Sequence, residues 1–237
     1  EASVSLWRLF SFILRQAPYR DIFQRAFYGQ ALDKLSILCE DAVAESLILG
    51  ALDYLNPHIN LTPSDVSVGR NTGKDQFPQH IEAIGKFRQL DAFVFVLDGD
   101  VRNTDMVIAK MKEAGSRAGH AVEPIFLPGN ASPEQWIYDR LEQQTGEYAE
   151  LFGLPVSVLR NNLQDIRQLY LSATDKPADV AKNQLQTLAE TIQRDVGTVA
   201  RHVGYAEAGR GDMNRFVEEL KEAINRWRMQ YSGGHSK

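Results

Sequence analysis

Two stretches of this chain set acidic residues directly after apolar runs: Glu40 follows LSILC at residues 35–39, and Asp98-Gly99-Asp100 follows AFVFVL at residues 92–97. In a parallel α/β sheet, ligand sites form where loops converge at the carboxyl ends of strands. Gly99 adds no side chain, so the carboxylates on either side of it can turn toward one point. If the two strands are neighbours, Glu40, Asp98 and Asp100 converge. Carboxylates at close range repel and raise one another's pKa unless cations hold them together. Magnesium suits such a cluster because it takes oxygen ligands and keeps water for chemistry. The competing reading is local, with Glu40 capping the next helix and Asp98 opening a polar turn. The same arrangement after two strands in succession favours the metal site.

The elements that must position these acids follow from periodicity. The run at 35–39 precedes a helix-forming stretch at 42–55, and residues 66–68 form a weak second strand before a glycine-containing loop and a helix at 79–89. The clearest buried strand, 92–97, leads to a helix at 104–114 stopped by Gly115, and residues 122–127 form a fourth strand ended by Pro128 and Gly129. This alternation predicts an α/β fold, a parallel sheet flanked by helices. After Pro133 only helical patterns remain, at 134–148, 161–171, 180–196 and 213–231. The predicted organisation is an N-terminal helical segment (1–33), an α/β domain (34–130), a helical region (131–231) and a flexible tail (232–237). The chain starts at Glu1 with a helical pattern already under way, which points to a piece of a longer protein.

The single cysteine, Cys39, allows neither an internal disulfide nor a zinc cluster, and suits a reducing cytoplasm. The apolar stretch 4–14 is interrupted by Arg8 and is about half a membrane span, so no membrane anchor is expected. The formal charge of −5 argues against holding nucleic acid by overall positive charge, though bound divalent ions restore local attraction for phosphate.

A strand ending in Glu, a helix, and a later apolar strand ending in Asp-x-Asp resembles the Toprim fold of topoisomerases, primases and several nucleases. Within it, ILCEDAVAE, the Gly73-Lys74 loop, FVLDGD and FLPGNASPE make the chain most similar to the C-terminal nuclease half of the OLD (overcoming lysogenization defect) family. These pieces span about residues 34–140, under half of the chain. The resemblance implies a nuclease that hydrolyses DNA, or RNA, with two Mg2+ or Mn2+ ions. It further implies an ATPase domain or subunit as partner, allows a homo-oligomer, and makes antiphage defence a plausible setting. It casts Glu40 as metal ligand or general base and Asp98 and Asp100 as principal ligands. A further acid falls to Asp41 or Glu45, because Asp41 stands where the family commonly has glycine and Glu45 comes one position late. Glu134 would complete a second metal position, although Ser132-Pro133-Glu134 is also a good helix start. A basic residue from the helical region would neutralise the transition state, with Lys176 the first candidate and Lys182 the second. The rivals are a catalytically silent Toprim scaffold that docks an ATPase, and another magnesium-dependent phosphotransfer enzyme with Asp98 as covalent nucleophile.

Other signals are weaker. GRNTGKD at 69–75 looks like a phosphate loop but has Val68 where the motif needs glycine and Asp75 where it needs Ser or Thr, so no ATP hydrolysis is expected. The five histidines lack zinc spacing, and no Gly-x-Ser-x-Gly elbow is present. Tyr148, Tyr170 and Tyr205 read as packing residues rather than nucleophiles. The mixed charges around Arg201, Arg210, Arg215, Lys221, Arg226 and Arg228 read first as a solvated face of ion pairs, and second as a nucleic-acid path.

Overall fold

Apolar residues alternate along the strands, and that alternation builds two cores. In the computed structural model, which describes residues 34–61, 65–70, 73–85 and 90–232, strand β1 (Leu35–Cys39) turns Leu35, Ile37 and Cys39 to one face and Leu38 to the other. Strand β3 (Phe93–Leu97) sends Val94 and Val96 to the first face and Phe95 and Leu97 to the second. With β2 (Val66–Arg70) and β4 (Ile125–Phe126) they form one all-parallel sheet in the order β2-β1-β3-β4. A sheet buried on both faces needs helices on both, which is why its strands are nearly continuous apolar runs.

Helix α1 (Ala42–Ile59) covers the first face. It starts where Asp41 Oδ1 accepts the Val43 and Ala44 amides, both at 2.9 Å, and buries Val43, Leu47, Ile48, Ala51 and Leu55. It stops at Asn60 in the left-handed region, where Arg228 donates to the Ile59 and Asn60 carbonyls at 2.7 and 3.1 Å. Helices α2 (Phe77–Gly85) and α3 (Asp105–Arg117) cover the second face through Phe77, Ile81, Val107 and Met111.

The helical region is α4 (Pro133–Gln143), α5 (Thr145–Phe152), α6 (Val156–Leu169), α7 (Pro177–Thr191), α8 (Val196–Glu207) and α9 (Gly211–Ser232). It shares the first-face core, since Leu159, Leu185, Val199 and Phe216 belong to the cluster that holds Ile37 and Val96. Helix α8 lies directly on α1: a Cβ on Gly204 would come within 2.6 Å of the Leu47 carbonyl oxygen, and one on Gly50 within 2.2 Å of the Arg201 carbonyl oxygen. Arg201 locks the crossing with a two-pronged bond to Asp53 at 2.6 and 2.9 Å. No described helix is long and apolar enough to cross a membrane.

The sheet and its flanking helices agree with the sequence reading, and boundaries shift for local reasons. The helix expected at 134–148 is broken at Gln144 into α4 and α5. The stretch 180–196 ends earlier, at Thr191, where Gln193 takes a positive φ of 56°. Helix α8 has no counterpart in the expected elements because VGTVARHVGYAE is rich in glycine and valine, and close packing on α1 outweighs that poor propensity. Only Ile125 and Phe126 of the fourth expected strand join the ladder. The N-terminal segment 1–33 lies outside the described residues, as does the expected tail apart from Ser232, which closes α9.

Candidate metal centre

From β1 the chain runs along the first face to β2, whereas from β3 it runs along the second face to β4 on the opposite side. The two paths diverge between the carboxyl ends of β1 and β3, and such a switch point leaves a crevice in the sheet edge. Glu40 is the first residue after β1 and Asp98 the first after β3. The Asp98 amide donates to Glu40 Oε1 at 3.1 Å, so the neighbouring strands bring the expected acids together. The helix cap is Asp41, one residue further on, which leaves the Glu40 side chain free to turn to β3.

Asp98 carries the strongest electrostatic signature. Its Oδ1 is shut off from solvent with no hydrogen-bond partner among the described residues. Burial, then the charges of Glu40, Asp41, Asp100 and Glu134, push its pKa up to about 9. An ionised carboxylate with a lone oxygen in such a place is costly unless a cation or proton meets it. Burial also raises Glu40, with Asp100 adding to the rise, while the Asp98 amide, the Lys74 ammonium and the Lys74 amide oppose it. Asp100 is exposed at the rim.

The turn that carries Asp98 and Asp100 is held by the segment after β4. A Cβ on Gly99 would lie 2.7 Å from the Gly129 carbonyl oxygen and 2.9 Å from that of Pro128, so the Asp-Gly-Asp turn and the Leu-Pro-Gly turn are in backbone contact. Arg102 braces the same junction by donating to the Leu127 carbonyl at 3.2 Å, with its guanidinium 5.5 Å from the centre of the Phe126 ring. The chain then enters α4, where Ser132 Oγ accepts the Gln135 amide at 3.4 Å. Glu134 therefore starts a helix and also lies close enough to act on Asp98. It is 6 % exposed and its charge reaches Asp98; burial and Asp41 raise its pKa, while its own amide, the Ser132 hydroxyl and Lys182 lower it.

Asp41 and Glu45 separate clearly. Asp41 commits Oδ1 to the α1 cap, yet its charge bears on both Asp98 and Glu134. Glu45 instead accepts from Arg70 Nε at 2.6 Å, out toward the rim of β2. Both lysines are exposed; the charge of Lys182 lowers the pKa of Glu134, and Lys176 is the N-cap residue of α7. Lys74, quoted from the sequence only as part of the Gly73-Lys74 loop and given no role there, lowers the pKa of Glu40. Its signal was present in GRNTGKD, which fails as a phosphate loop but places a lysine one turn after β2.

No protein-family model, curated protein or solved structure matches this chain.

The chemistry of the site therefore has to be judged from its own atoms. Among the described residues no three His, Cys, Asp or Glu side chains stand together as a ready metal-ligand group. The donor set nevertheless suits a hard divalent cation: Glu40 and Asp98 meet at one end of the sheet, the charges of Asp41, Asp100 and Glu134 bear on Asp98, and Asp98 Oδ1 lacks a partner among the described residues. Cys39, the soft donor nearby, is buried with its thiol directed at the Asp41 and Gly69 carbonyls, both at 3.6 Å. A cavity of about 260 Å³ opens at the other edge of the sheet, lined by Leu35, Phe93, Ile125 and Trp227, and takes no part in this site.

Proposed function

We propose that this chain is a divalent-metal-dependent nuclease that hydrolyses phosphodiester bonds of DNA or RNA, and that it is the nuclease part of an OLD-type ATPase–nuclease with a role in antiphage defence. One observation carries the reading: Asp98 lies at the switch point of a parallel sheet with its amide on Glu40, the charges of Glu40, Asp41, Asp100 and Glu134 all bear on it, and its Oδ1 has no partner among the described residues. Asp98 and Asp100 are the principal ligands, with Glu40 and Asp41 on the β1 side and Glu134 on the α4 side completing two positions. Mg2+ or Mn2+ bound there would polarise the phosphate and lower the pKa of attacking water.

The remaining work falls to the side chains. Glu40 accepts the Asp98 amide on Oε1, which holds its carboxylate at the end of β3, where it would serve either as a metal ligand or as the general base for the attacking water. Its raised pKa makes it a better proton acceptor than a fully solvated carboxylate. Lys182, close enough to act on Glu134, is better placed than Lys176 to meet negative charge growing on the phosphate. No tyrosine is needed as a covalent nucleophile. Tyr148 Oη donates to Glu207 at 2.8 Å and Tyr170 Oη pairs with Thr187 at 3.1 Å, so both are engaged in the helical layer. Five of the six cations named for that layer are engaged as well: Arg201 meets Asp53, Arg210 meets Glu147, Arg215 meets Asp212, Lys221 meets Glu218 and Arg228 meets Asp65, while Arg226 is exposed. This favours a solvated ion-pair face there over a nucleic-acid path.

The test is cleavage of plasmid and single-stranded DNA with Mg2+, Mn2+ or EDTA. Cleavage should require the metal and vanish in Asp98→Ala, with the circular dichroism spectrum retained. Undiminished cleavage by that variant would overturn the assignment.

A further inference from the structure

Arg70 stands at the carboxyl end of β2 with its direction fixed by the fold. Strand alternation sets its side: Val66 and Val68 pack on the first-face core, and Arg70, two residues on, follows them to that face. Asp98 follows Val94 and Val96 in the same way, because its backbone is still extended, with φ −63° and ψ 152°. The parallel register sets Arg70 level with Cys39, the last residue of β1, and Phe95 level with Leu38. Arg70 and Asp98 are therefore on one side of the sheet, two strand spacings and two residues apart, which puts their backbones roughly 12 Å from each other. Helix α1 covers this face, and its first turn supplies an anchor: Arg70 Nε donates to Glu45 Oε2 at 2.6 Å. The Nη1 and Nη2 groups make no hydrogen bond among the described residues, and the Arg70 side chain is 60 % exposed.

Resting on the metal-site reading above, we propose that Arg70 binds a phosphate of the nucleic acid next to the one held at the metal ions, through Nη1 and Nη2, and that Glu45 aims the guanidinium by holding Nε. The guanidinium is planar and presents its donors in a fixed fork that matches two oxygens of one phosphate, so a carboxylate on Nε sets the direction of the Nη1–Nη2 edge. The separation from Asp98 keeps Arg70 clear of the cations, so it adds affinity for substrate without competing for the metal. Glu45, an acid that the resemblance offers as a ligand, takes a different part here: it is a positioning residue that acts through Arg70.

The test separates substrate affinity from metal affinity. In Arg70→Gln, Mn2+ measured by electron paramagnetic resonance should bind within about twofold of wild type. A phosphorothioate single-stranded oligonucleotide, followed by fluorescence anisotropy at saturating Mn2+, should bind about five- to tenfold more weakly, with the salt slope reduced by about 0.7 for the one lost contact. Arg70→Lys keeps the charge but has neither the fork nor an Nε for Glu45, so it should recover the slope and stay about threefold weaker than wild type. Glu45→Ala should weaken the oligonucleotide about two- to threefold, and Glu45→Gln, whose amide oxygen still accepts from Nε, should restore it. Unchanged oligonucleotide affinity and slope in Arg70→Gln would reduce the pair to a surface ion pair, and joint loss of both affinities would make Arg70 a support of the metal site; either result overturns the proposal. Wild-type affinity in Arg70→Lys, or no loss in Glu45→Ala, would overturn the aiming role of Glu45. Absence of Mn2+ binding in the wild type would overturn the metal site itself, which the wild-type titration reads independently of the variants.

Discussion

Replacing Asp98 by Asn should stabilise the metal-free protein, and the pH dependence of that gain tests the electrostatics of the site. Asp98 has a usual value of 3.8, which burial and the surrounding carboxylates push to about 9 in the fold. Between these values the unfolded chain carries the ionised form while the fold holds the proton, so stability falls as pH rises through this window. One such group costs up to about 1.4 kcal/mol per pH unit. From pH 6.5 to 8.5 that is at most about 2.7 kcal/mol, and the partial solvent access of Asp98 reduces the fall to about 1 to 2.5 kcal/mol. For a chain of 237 residues this corresponds to a drop in Tm of roughly 3 to 8 °C. Glu40 and Glu134 are also raised, so they act with the same sign. His80, lowered by burial from 6.5 to about 4, destabilises the fold as pH falls toward and below 6.5, and so offsets only about 0.4 kcal/mol at the lower edge of the window. Thermal unfolding in EDTA, followed by circular dichroism at pH 6.5 and 8.5, should show the wild type losing Tm and Asp98→Asn losing much less. Adding Mn2+ at pH 8.5 should restore the wild type by mass action and leave the variant unmoved. A wild type whose Tm is flat across the window, or a variant that keeps the full slope, would refute the reasoning.

The other substitutions separate neighbouring residues whose roles are easily confused. Glu45→Gln loses only a rim pair with the 60 % exposed Arg70 and should leave Mn2+ affinity within about twofold, whereas Asp41→Asn keeps an oxygen for the cap but removes a charge from the cluster and should weaken Mn2+ several-fold or more by the same titration. Gly204→Val tests the α1–α8 crossing: with the Leu47 carbonyl only 2.6 Å from the new Cβ, the helices must part, and urea unfolding should report a loss of about 2 to 4 kcal/mol.

The sheet was legible because a strand buried on both faces leaves an unmistakable trace, as FVFVL and LSILC do. The acids after those strands were legible for the same reason, since their importance depends only on following a strand end. What sequence could not supply was the partner of each side chain. Asp41 and Glu45 are both carboxylates and four residues apart, and only the position of Arg70 at the end of β2 draws Glu45 away. Lys176 and Lys182 lie on one helical stretch, and only the packing of α7 decides which of them reaches Glu134. Lys74 sits far from Glu40 in sequence, and the crossover from β2 to β3 is what joins them. Helix α8 escaped because its glycines and valines, poor helix formers in isolation, are the residues that let it approach α1 closely.

Charge balance links the fold to the proposed chemistry. The carboxylates of Glu40, Asp41, Asp98, Asp100 and Glu134 face two lysines, Lys74 and Lys182, which leaves three negative charges when all are ionised. The metal-free fold bears this excess by protonation, with Asp98 its first recourse. A single divalent ion would leave the site negative and unreceptive to phosphate, whereas two would leave one positive charge, which one phosphodiester neutralises. On the proposed two-ion site, the same arithmetic would let a chain of net charge −5 attract a polyanion locally. On that proposal, attraction would arise only with the cations in place, and the bond to be cut would lie at the crevice between β1 and β3.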